Sequence, residues 1–376
     1  MPFREVSAVE LRMEFVKLAV ANGANIRQLC RRYGISSRTA YKWIGRYEQQ
    51  GEAGLSNQSR RPHASPERSD VEFETHVLRI RKEQSAWGAR KIRRILLNEG
   101  IQIAAISTVH AILQRHGQID SEQSRKHQAW HRFEHPVPND LWQMDFKGHF
   151  AIRSGQRCHP LTVLDDHSRF VVCLKACENE KGDGVQKHLT AVFRQYGLPL
   201  RMTMDNGAPW GSDANHQDTS LTVWLRRLGV RVGHSRPRHP QTQGKDERFH
   251  RTLLAECIRG RYFDDFTVLQ PVFDKYRDVY NQRRPHQGID METPIQRYRV
   301  SPRTFPESLP QIEYGSTDVI RMVSEKGRIN FLGRRVSVGK GYRGLPVAVR
   351  PTENDGIWKV FFCCDSIAQI DFHSLT

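Results

Sequence analysis

The segment Trp142–Phe150, WQMDFKGHF, decides the fold, because it predicts a β-strand that carries a lone carboxylate, Asp145, among apolar residues. Burying such a carboxylate is costly unless it is paired or bound to a metal ion. Downstream, LTVLDDHSRFVVCLKAC at residues 161–177 predicts two further strands joined by a tight turn, and a helix is expected at about residues 183–196. This alternation of β-rich and helical runs continues to about residue 300 and indicates an α/β core.

Two more carboxylates fall at the ends of predicted elements. The run RMTMDNG at residues 201–207 predicts a short strand that ends at Asp205, and the Asn-Gly turn after it projects this carboxylate into a crevice. In HPQTQGKDERFHRTLLAE, residues 239–256, a helix should start after Pro240 to Gly244, with Glu247 in its first turns. Taken singly, each has a structural alternative: Asp205 as the cap of its turn, and Glu247 as a negative charge that the dipole at the helix N-terminus stabilises.

Three carboxylates on a central strand, a strand end and a helix start suit phosphoryl transfer without a covalent enzyme intermediate. Such a set can hold two divalent cations about 3.5–4 Å apart and leave positions open for water and phosphate. Hard oxygen ligands predict Mg²⁺ or Mn²⁺, in two ions. Asp246 is the rival for the third position, because adjacent helical residues point about 100° apart and one of the two can face the other carboxylates.

WQMDFKG, TMDNG and HPQTQGKDERFHRTL resemble the three blocks of the retroviral-integrase-like (DDE) core of bacterial insertion-sequence transposases. The segment YNQRRPHQGIDMETPIQRY, residues 280–298, resembles the part that closes that core. The resemblance covers nearly the whole chain. It implies a ribonuclease-H-like fold and a catalytic, metal-binding triad of Asp145, Asp205 and Glu247.

The N-terminal region contains a helix-turn-helix candidate. Residues 26–33 carry apolar side chains at helical spacing, Gly34 breaks this helix, and Ser37 is a suitable cap for a second one. An ordinary helical hairpin with a solvated basic face is the alternative. The outer face of the second helix offers cations to a DNA major groove: Arg38, Lys42 and Arg46.

A second helical zone repeats this pattern. The run WGARKIRRILLNEGI starts at Trp87, Gly100 breaks it, and Ser107 is the expected cap of the following helix. A helical spacer is the alternative to a second DNA-binding unit here. Two groups of cations are predicted to contact DNA, one in this zone and one on the helix of Glu247, although a solvated basic face is an alternative for each. They are Arg90, Lys91 and Arg94, and Lys245, Arg248 and Arg251.

The fold class expected is therefore multidomain: N-terminal all-α helix-turn-helix units, a central α/β ribonuclease-H-like core and a C-terminal small β-barrel. The expected boundaries are 1–62 for the first helix-turn-helix domain and 63–135 for the second with its linker. The catalytic core should occupy 136–300. Residues 301–376 alternate apolar and polar side chains in short runs with a hairpin signal at Asn354 to Gly356, which predicts a small SH3-like barrel.

Composition agrees with a nucleic-acid partner. The 376 residues carry a formal charge of +17, which favours attraction to a polyanion. Seven irregularly spaced cysteines indicate reduced thiols rather than a zinc site. Because no signal peptide or membrane-length apolar stretch is found, we expect a cytoplasmic, nucleoid-associated protein with no membrane partner.

These features predict a DNA transposase that cleaves and joins phosphodiesters. Its partners should be double-stranded DNA, both element ends and target, and the chain should act as a homodimer or higher oligomer on DNA. One rival is a non-catalytic DNA-binding repressor, which leaves three placed carboxylates unexplained. The other is a structure-selective nuclease that cuts and never joins.

Overall fold

The structure, a computed structural model, describes residues 7–58, 69–101, 105–119, 134–212, 217–234 and 244–373. The chain divides into two compact units, Met1–Arg68 and Ser69–Thr376. Within the described ranges, no helix combines the length and apolar character needed to cross a bilayer. The four domain boundaries expected from the sequence stay predictions.

The described part of the first unit contains the helices α1 (Ala8–Ala19), α2 (Ile26–Tyr33) and α3 (Ser37–Gln50), and a 3-10 helix at Gly51–Leu55. Gly34 ends α2 in the left-handed conformation, with φ at +64°, as a glycine after a helix commonly does. The cap of α3 is Ser36 rather than the expected Ser37, since the Ser36 hydroxyl accepts the backbone N–H of Thr39. The helices share a buried core of Phe15, Val16, Cys30, Ala40, Trp43 and Leu55.

The second unit begins with a three-helix bundle of α4 (Val71–Glu83), α5 (Ala89–Asn98) and α6 (Ile106–Arg115). The bundle is held by a core that includes Trp87, which is 1% exposed, and Ile92, which is fully buried. Helix α6 starts at Ile106, so Ser107 lies in its first turn and not at the cap.

A mixed sheet forms the centre of the second unit. Its strands and the adjoining hairpin are, in chain order, β1 (Leu141–Phe146), β2 (Phe150–Ala151), β3 (Arg157–Asp165), β4 (Val171–Cys177), β5 (Arg201–Met204), β6 (Gly211–Ser212), β7 (Gln217–Asp218) and β8 (Arg231–His234). The order is β4–β3–β1–β5–β8, with β2 paired to the start of β3 and β6 paired to β7 in a separate hairpin. Strands β4, β3 and β1 pair antiparallel, whereas β1, β5 and β8 pair parallel, as expected for a ribonuclease-H-like core.

Helices cover both faces of this sheet. They are α7 (Gly182–Tyr196), α8 (Ser220–Arg227), α9 (Gly244–Leu253), α10 (Phe266–Asp278) and the short α11 (Pro294–Arg297). Trp142 and Met144 of β1 pack with α7 and α8, whereas Phe249 of α9 packs with α10 against the other face. Because side chains alternate along a strand, Gln143 and Asp145 point to the face of α9.

The C-terminal region consists of two small sheets. Its strands are β9 (Val319–Met322), β10 (Arg328–Phe331), β11 (Arg334–Ser337), β12 (Pro346–Pro351), β13 (Ile357–Phe362) and β14 (Asp365–Asp371). An antiparallel sheet has the order β14–β13–β12–β9, and β10 pairs with β11 alone. The two sheets share one apolar core that includes Val347 and Phe362.

The expected closed barrel was therefore wrong. Closure requires backbone hydrogen bonds between every pair of neighbouring strands. Where β9 meets β10, the side chain of Arg321 donates to the carbonyl of Asn330, at 3.1 Å. Where β11 meets the end of β14, the side chain of Arg334 donates to the carbonyl of Asp371, at 2.9 Å. At these two junctions the strands are not paired in the sheet order, and an arginine side chain connects them instead.

Candidate functional site

Asp145 lies on β1, where it pairs in register with Thr162 of β3. Its side chain is 27% exposed, and Oδ1 accepts the backbone N–H of Phe146 at 2.8 Å. Burial, together with the charge of Asp205, raises the pKa of Asp145 to about 7. A nearby divalent cation would favour the charged form of this carboxyl group.

Asp205 follows β5, the parallel neighbour of β1. Its Oδ1 accepts the backbone N–H of Gly207 at 3.0 Å, and Nδ1 of His234 lies 2.8 Å from its backbone oxygen. Burial raises the pKa of Asp205 as well. The structure therefore brings two of the predicted residues, Asp145 and Asp205, to the same edge of the sheet, close enough for their charges to interact.

A further acidic residue, Glu180, lies near this pair. Burial is the main cause of the raised pKa of Asp145 and Asp205, and the charge of Glu180 adds to both shifts. Oε1 of Glu180 lies 2.7 Å from Nδ1 of His159. The sequence analysis missed Glu180. The sequence feature that points to Glu180 is its position just after β4, a strand parallel to β1. That feature could be recognised only once the order of the strands was known.

Helix α9 presents its two adjacent acids to different surroundings. Asp246 is fully buried, whereas Glu247 is exposed. The backbone N–H of Asp246 donates to Oε1 of Gln143 at 3.2 Å, and the Thr162 hydroxyl lies 3.1 and 3.3 Å from its two carboxylate oxygens. Asp246, the rival from the sequence, thus points to the sheet, and the role of Glu247 as third carboxylate stays a prediction.

Asp145, Asp246 and His250 form a compact group of possible metal ligands, with one atom from each lying within 4.8 Å of the others. Nδ1 of His250 is 4.0 Å from Oδ2 of Asp145, and Nε2 is 3.6 Å from Oδ1 of Asp246. Burial, together with the charge of Lys147, lowers the pKa of His250 to about 4. The imidazole is therefore neutral at pH 7 and has a lone pair available.

The Thr162 hydroxyl connects this group. Its Oγ1 donates to the backbone oxygen of Asp145 at 3.0 Å and lies 2.8 Å from Nε2 of His250. The sequence analysis did not single out Thr162, although it is the polar residue between Leu161 and Val163 in a strand that is otherwise apolar at this point.

The cations predicted on α3 differ in exposure. Arg38 and Lys42 are exposed, whereas Arg46 is half-buried. Three cations lie over the ring of Trp43: Arg12 at 4.1 Å, Lys42 at 5.0 Å and Arg46 at 5.2 Å from its centre. Arg38 and Lys42 are therefore the two of these predicted contacts that are most accessible to DNA.

The cations predicted on α5 divide in the same way. Arg90 is exposed and Arg94 is half-buried. Lys91 points into the second unit instead, with Nζ 3.6 Å from a carboxylate oxygen of Glu256.

On α9, Lys245 pairs with the buried carboxylate of Asp166. Burial, together with the charge of Arg169, lowers the pKa of Lys245 to about 8. Arg248 and Arg251 are exposed on the same helix. All of these DNA contacts stay predictions.

Five protein-family models match the chain. Two descriptions of an integrase core domain match residues 135–240 and 228–294, and the C-terminal domain of IS481 family transposases matches residues 318–376. A helix-turn-helix domain matches residues 11–63, and a homeodomain-like domain matches residues 39–113.

Among curated proteins, the chain is 24% identical over 246 residues to an uncharacterized 31.7 kDa protein of insertion element IS407 from Burkholderia multivorans, a match that covers 64% of this chain and 86% of that protein. It is 22% identical over 403 residues to the transposase of transposon Tn552 from Staphylococcus aureus, covering 94% and 81%. Among solved structures, the magnesium-bound catalytic core of HTLV-2 integrase matches with a TM-score of 0.32 and 16% identity, over 44% of this chain and 99% of that one.

Helix-turn-helix domains joined to an integrase core define a DNA transposase of the integrase-core class. More narrowly, the IS481-type C-terminal domain and the insertion-element relatives identify the chain as a bacterial insertion-sequence transposase with a DDE-type core.

Proposed function

We propose that this transposase binds the ends of its mobile element and joins them to target DNA at Asp145, Asp205 and Glu247. The observation that carries the proposal is the pair Asp145 and Asp205 at the ends of adjacent parallel strands, where burial and mutual repulsion raise the pKa of Asp145 to about 7. Two carboxylates that oppose each other's ionisation are stabilised together by shared divalent cations.

The donor set fits Mg²⁺ or Mn²⁺, because carboxylate oxygens are the hard ligands that these ions prefer. When bound, two such ions supply Lewis-acid stabilisation at the attacking and leaving oxygens of an in-line displacement. Asp145 and Asp205 would hold these ions at the sheet edge, and Glu247, in the first turn of α9, would be the third ligand.

Two arginines of α9 place the DNA for this reaction. Arg248 and Arg251 are exposed on the helix that carries Glu247, which suits them to hold the phosphate backbone. In the joining step, a terminal 3′-OH gives its proton to solvent and attacks a target phosphorus, the bond to the leaving 3′-oxygen breaks, and that oxygen takes up a proton from solvent. One phosphodiester forms as another is broken, so the step needs no ATP.

The third ligand has two candidates. Asp246 is fully buried, and both of its carboxylate oxygens lie within hydrogen-bonding distance of the Thr162 hydroxyl. Glu247 is exposed to water and to an approaching phosphate. This difference in access favours Glu247, whereas the compact group of Asp145, Asp246 and His250 favours a set that includes Asp246.

The proposed partners follow from the domain set. Both helix-turn-helix regions would bind element ends, with contacts from the exposed cations of α3 and α5. Two ends must be held together, which requires a homodimer or a higher oligomer on DNA. Such a protein would act on nucleoid DNA in the cytoplasm.

Strand transfer tests the proposal directly. A labelled duplex with the element's terminal sequence is incubated with the full chain, target plasmid and Mg²⁺ or Mn²⁺. Asp145→Asn and Asp205→Asn should each reduce joined product by about 10³-fold or more, because each removes several kcal/mol of charge stabilisation. DNA binding by gel shift and far-UV circular dichroism provide the controls for folding.

The same assay separates the rival functions. Joined products that persist in both folded aspartate variants would contradict the site. Cleaved ends without joined product in the wild-type protein would favour a nuclease. A protein that binds end DNA, and whose binding of Mn²⁺ does not depend on Asp145 and Asp205, would be a repressor.

A further inference from the structure

A buried cluster of charges lies where the bundle of α4–α6 meets the ends of α9 and α10. The carboxylate of Glu256 is 5% exposed and accepts hydrogen bonds from Arg284, with Nε 3.0 Å from both oxygens and Nη2 2.9 Å from Oε1. Nζ of Lys91 lies 3.6 Å from the same Oε1. One buried carboxylate therefore binds two cations.

The three residues belong to three different parts of the second unit. Lys91 is on α5 of the bundle, and Glu256 is on the π-helical segment Leu254–Ile258 that directly continues α9. Arg284 follows a second π-helical segment, Val279–Arg283, which continues α10. Glu256 is nine residues from Glu247, roughly 14 Å along a helix, so the cluster connects the bundle to the helix of the proposed third ligand.

Neighbouring contacts reinforce this connection. The guanidinium of Arg283 pairs with Glu83 of α4 at 3.1 Å and lies 3.8 Å from Glu99 at the end of α5. Val279 packs against the apolar core of the bundle. Buried charge, surface charge and apolar contact thus hold the bundle to the ends of α9 and α10 at adjacent points.

The chemistry of the cluster favours a single arrangement. Burial, together with the charge of Arg284, lowers the pKa of Lys91 to about 8. The charged groups that face Lys91 are Arg284, Glu256 and Arg248. A multiply bonded arginine–carboxylate pair has strict geometry, and separating buried charges leaves them without partners. Sliding of the bundle across α9 is therefore opposed more strongly than it would be by an apolar contact.

We propose that Lys91, Glu256 and Arg284 form a joint that fixes the bundle on α9 and so sets which phosphodiester of bound DNA reaches Asp145. This inference rests on the proposed function, because it requires that the bundle binds DNA. It assigns Lys91 to positioning, not to DNA contact. Arg90, the neighbouring exposed residue, remains available to DNA.

The test maps cut positions on the end-labelled terminal duplex at single-nucleotide resolution, using the full chain with Mn²⁺. Lys91→Met and Glu256→Gln should spread the cuts over neighbouring phosphodiesters and reduce cutting at the wild-type position by about 10-fold or more, since misplacement by about 1 Å costs on the order of 100-fold in rate. Metal-dependent nicking of supercoiled plasmid, which needs no register, should be unchanged.

Two variants of the bundle serve as controls. Arg90→Met should weaken DNA binding and leave the cut position unchanged, and Lys82→Met, exposed on α4, should change neither. Lys91→Met keeps the pairing of Arg284 with Glu256, so it carries the test if Glu256→Gln does not fold.

Hydrogen exchange gives a readout that does not depend on cleavage. The amides of α5 and of residues 254–258 should lose protection in Lys91→Met, whereas α1–α3 should be unaffected. Wild-type cut positions at the wild-type rate, or unchanged protection, would overturn the joint. A wild-type protein that fails to cut any DNA would overturn the proposed function instead, and the exchange result would then decide the joint alone.

Discussion

At the scale of single residues, Asp145 serves the proposed function but lowers the stability of the metal-free protein as the pH rises. Its carboxyl group is largely buried beside Asp205, and burial with this repulsion raises its pKa to about 7. In the metal-free protein the folded state therefore binds more protons than the unfolded state between about pH 4 and pH 7. Protonated Asp145 contributes to the free energy of unfolding below this pH window. That contribution is lost as the pH rises through the window and the carboxyl group ionises.

Asp145→Asn should accordingly stabilise the metal-free protein while abolishing strand transfer. In EDTA at pH 8 its Tm should exceed that of the wild type, and the difference should shrink as the pH falls to 5. Asp355→Asn, in an exposed hairpin turn, is the matched control and should show no such pH-dependent difference. A variant less stable than the wild type at pH 8 would contradict the argument.

The choice between Asp246 and Glu247 is also decided by single residues. Glu247→Gln should reduce strand transfer by about 10³-fold or more if this side chain is a metal ligand. Asp246→Asn should cost about 10- to 100-fold, because the amide oxygen can still accept from Thr162 and outer partners of a metal site contribute less than its ligands. The reverse order, with Mn²⁺ binding by calorimetry lost in Asp246→Asn, would make Asp246 the ligand.

At the scale of elements, α9 is held by the apolar side opposite Glu247. Phe249 is 1% exposed and packs edge-on against Tyr280, with ring centres 4.9 Å apart. Phe249→Ala should lower the unfolding free energy of the core by about 3–5 kcal/mol, as large-to-small changes at buried aromatics do. Arg251→Ala, exposed on the same helix, should change it by less than about 0.5 kcal/mol. Urea unfolding followed by tryptophan fluorescence measures both, and equal effects would disprove the packing role.

The elements show what the sequence can and cannot predict. Local patterns predict strand β1, the turn after Asp205 and the start of α9. Alternating apolar residues indicate the strand, Asn-Gly the turn and helix-breaking residues the helix start, and each of these signals acts over a few positions. The prediction of a closed barrel was wrong, since Arg321 and Arg334 donate to strand carbonyls 9 and 37 residues away in the sequence, and an alternation of apolar and polar residues does not predict such side-chain contacts. Helical periodicity did not decide whether Asp246 or Glu247 faces the other carboxylates, because the face that α9 turns to the sheet depends on tertiary packing.

The sequence also does not show which cations are exposed and which are paired inside the protein. Lys91 and Arg90 are adjacent cations in one basic run, and the sequence treats them alike. The structure separates them, with Lys91 turned to a buried carboxylate and Arg90 exposed. Which partner a lysine meets across some 165 residues of sequence is set by the fold, and no local pattern encodes it.

At the scale of the whole molecule, a formal charge of +17 overstates the cations available to DNA. Several are paired with acids inside the second unit, among them Lys91, Lys245 and Arg284. Affinity for DNA should therefore depend on a smaller set of exposed cations, and that set can be counted from the salt dependence of binding.

Each phosphate contact contributes about 0.9 to the slope of log K against log salt concentration on duplex DNA. Arg38→Gln with Lys42→Gln, both exposed on α3, should therefore reduce the slope by about 2 when anisotropy of a labelled end duplex is measured between about 50 and 200 mM salt. Lys17→Gln, exposed on α1, is the matched control and should leave the slope unchanged, as should Lys91→Met. A slope that falls equally in all of these variants would mean that DNA responds to overall charge, and α3 would then have no special part in binding.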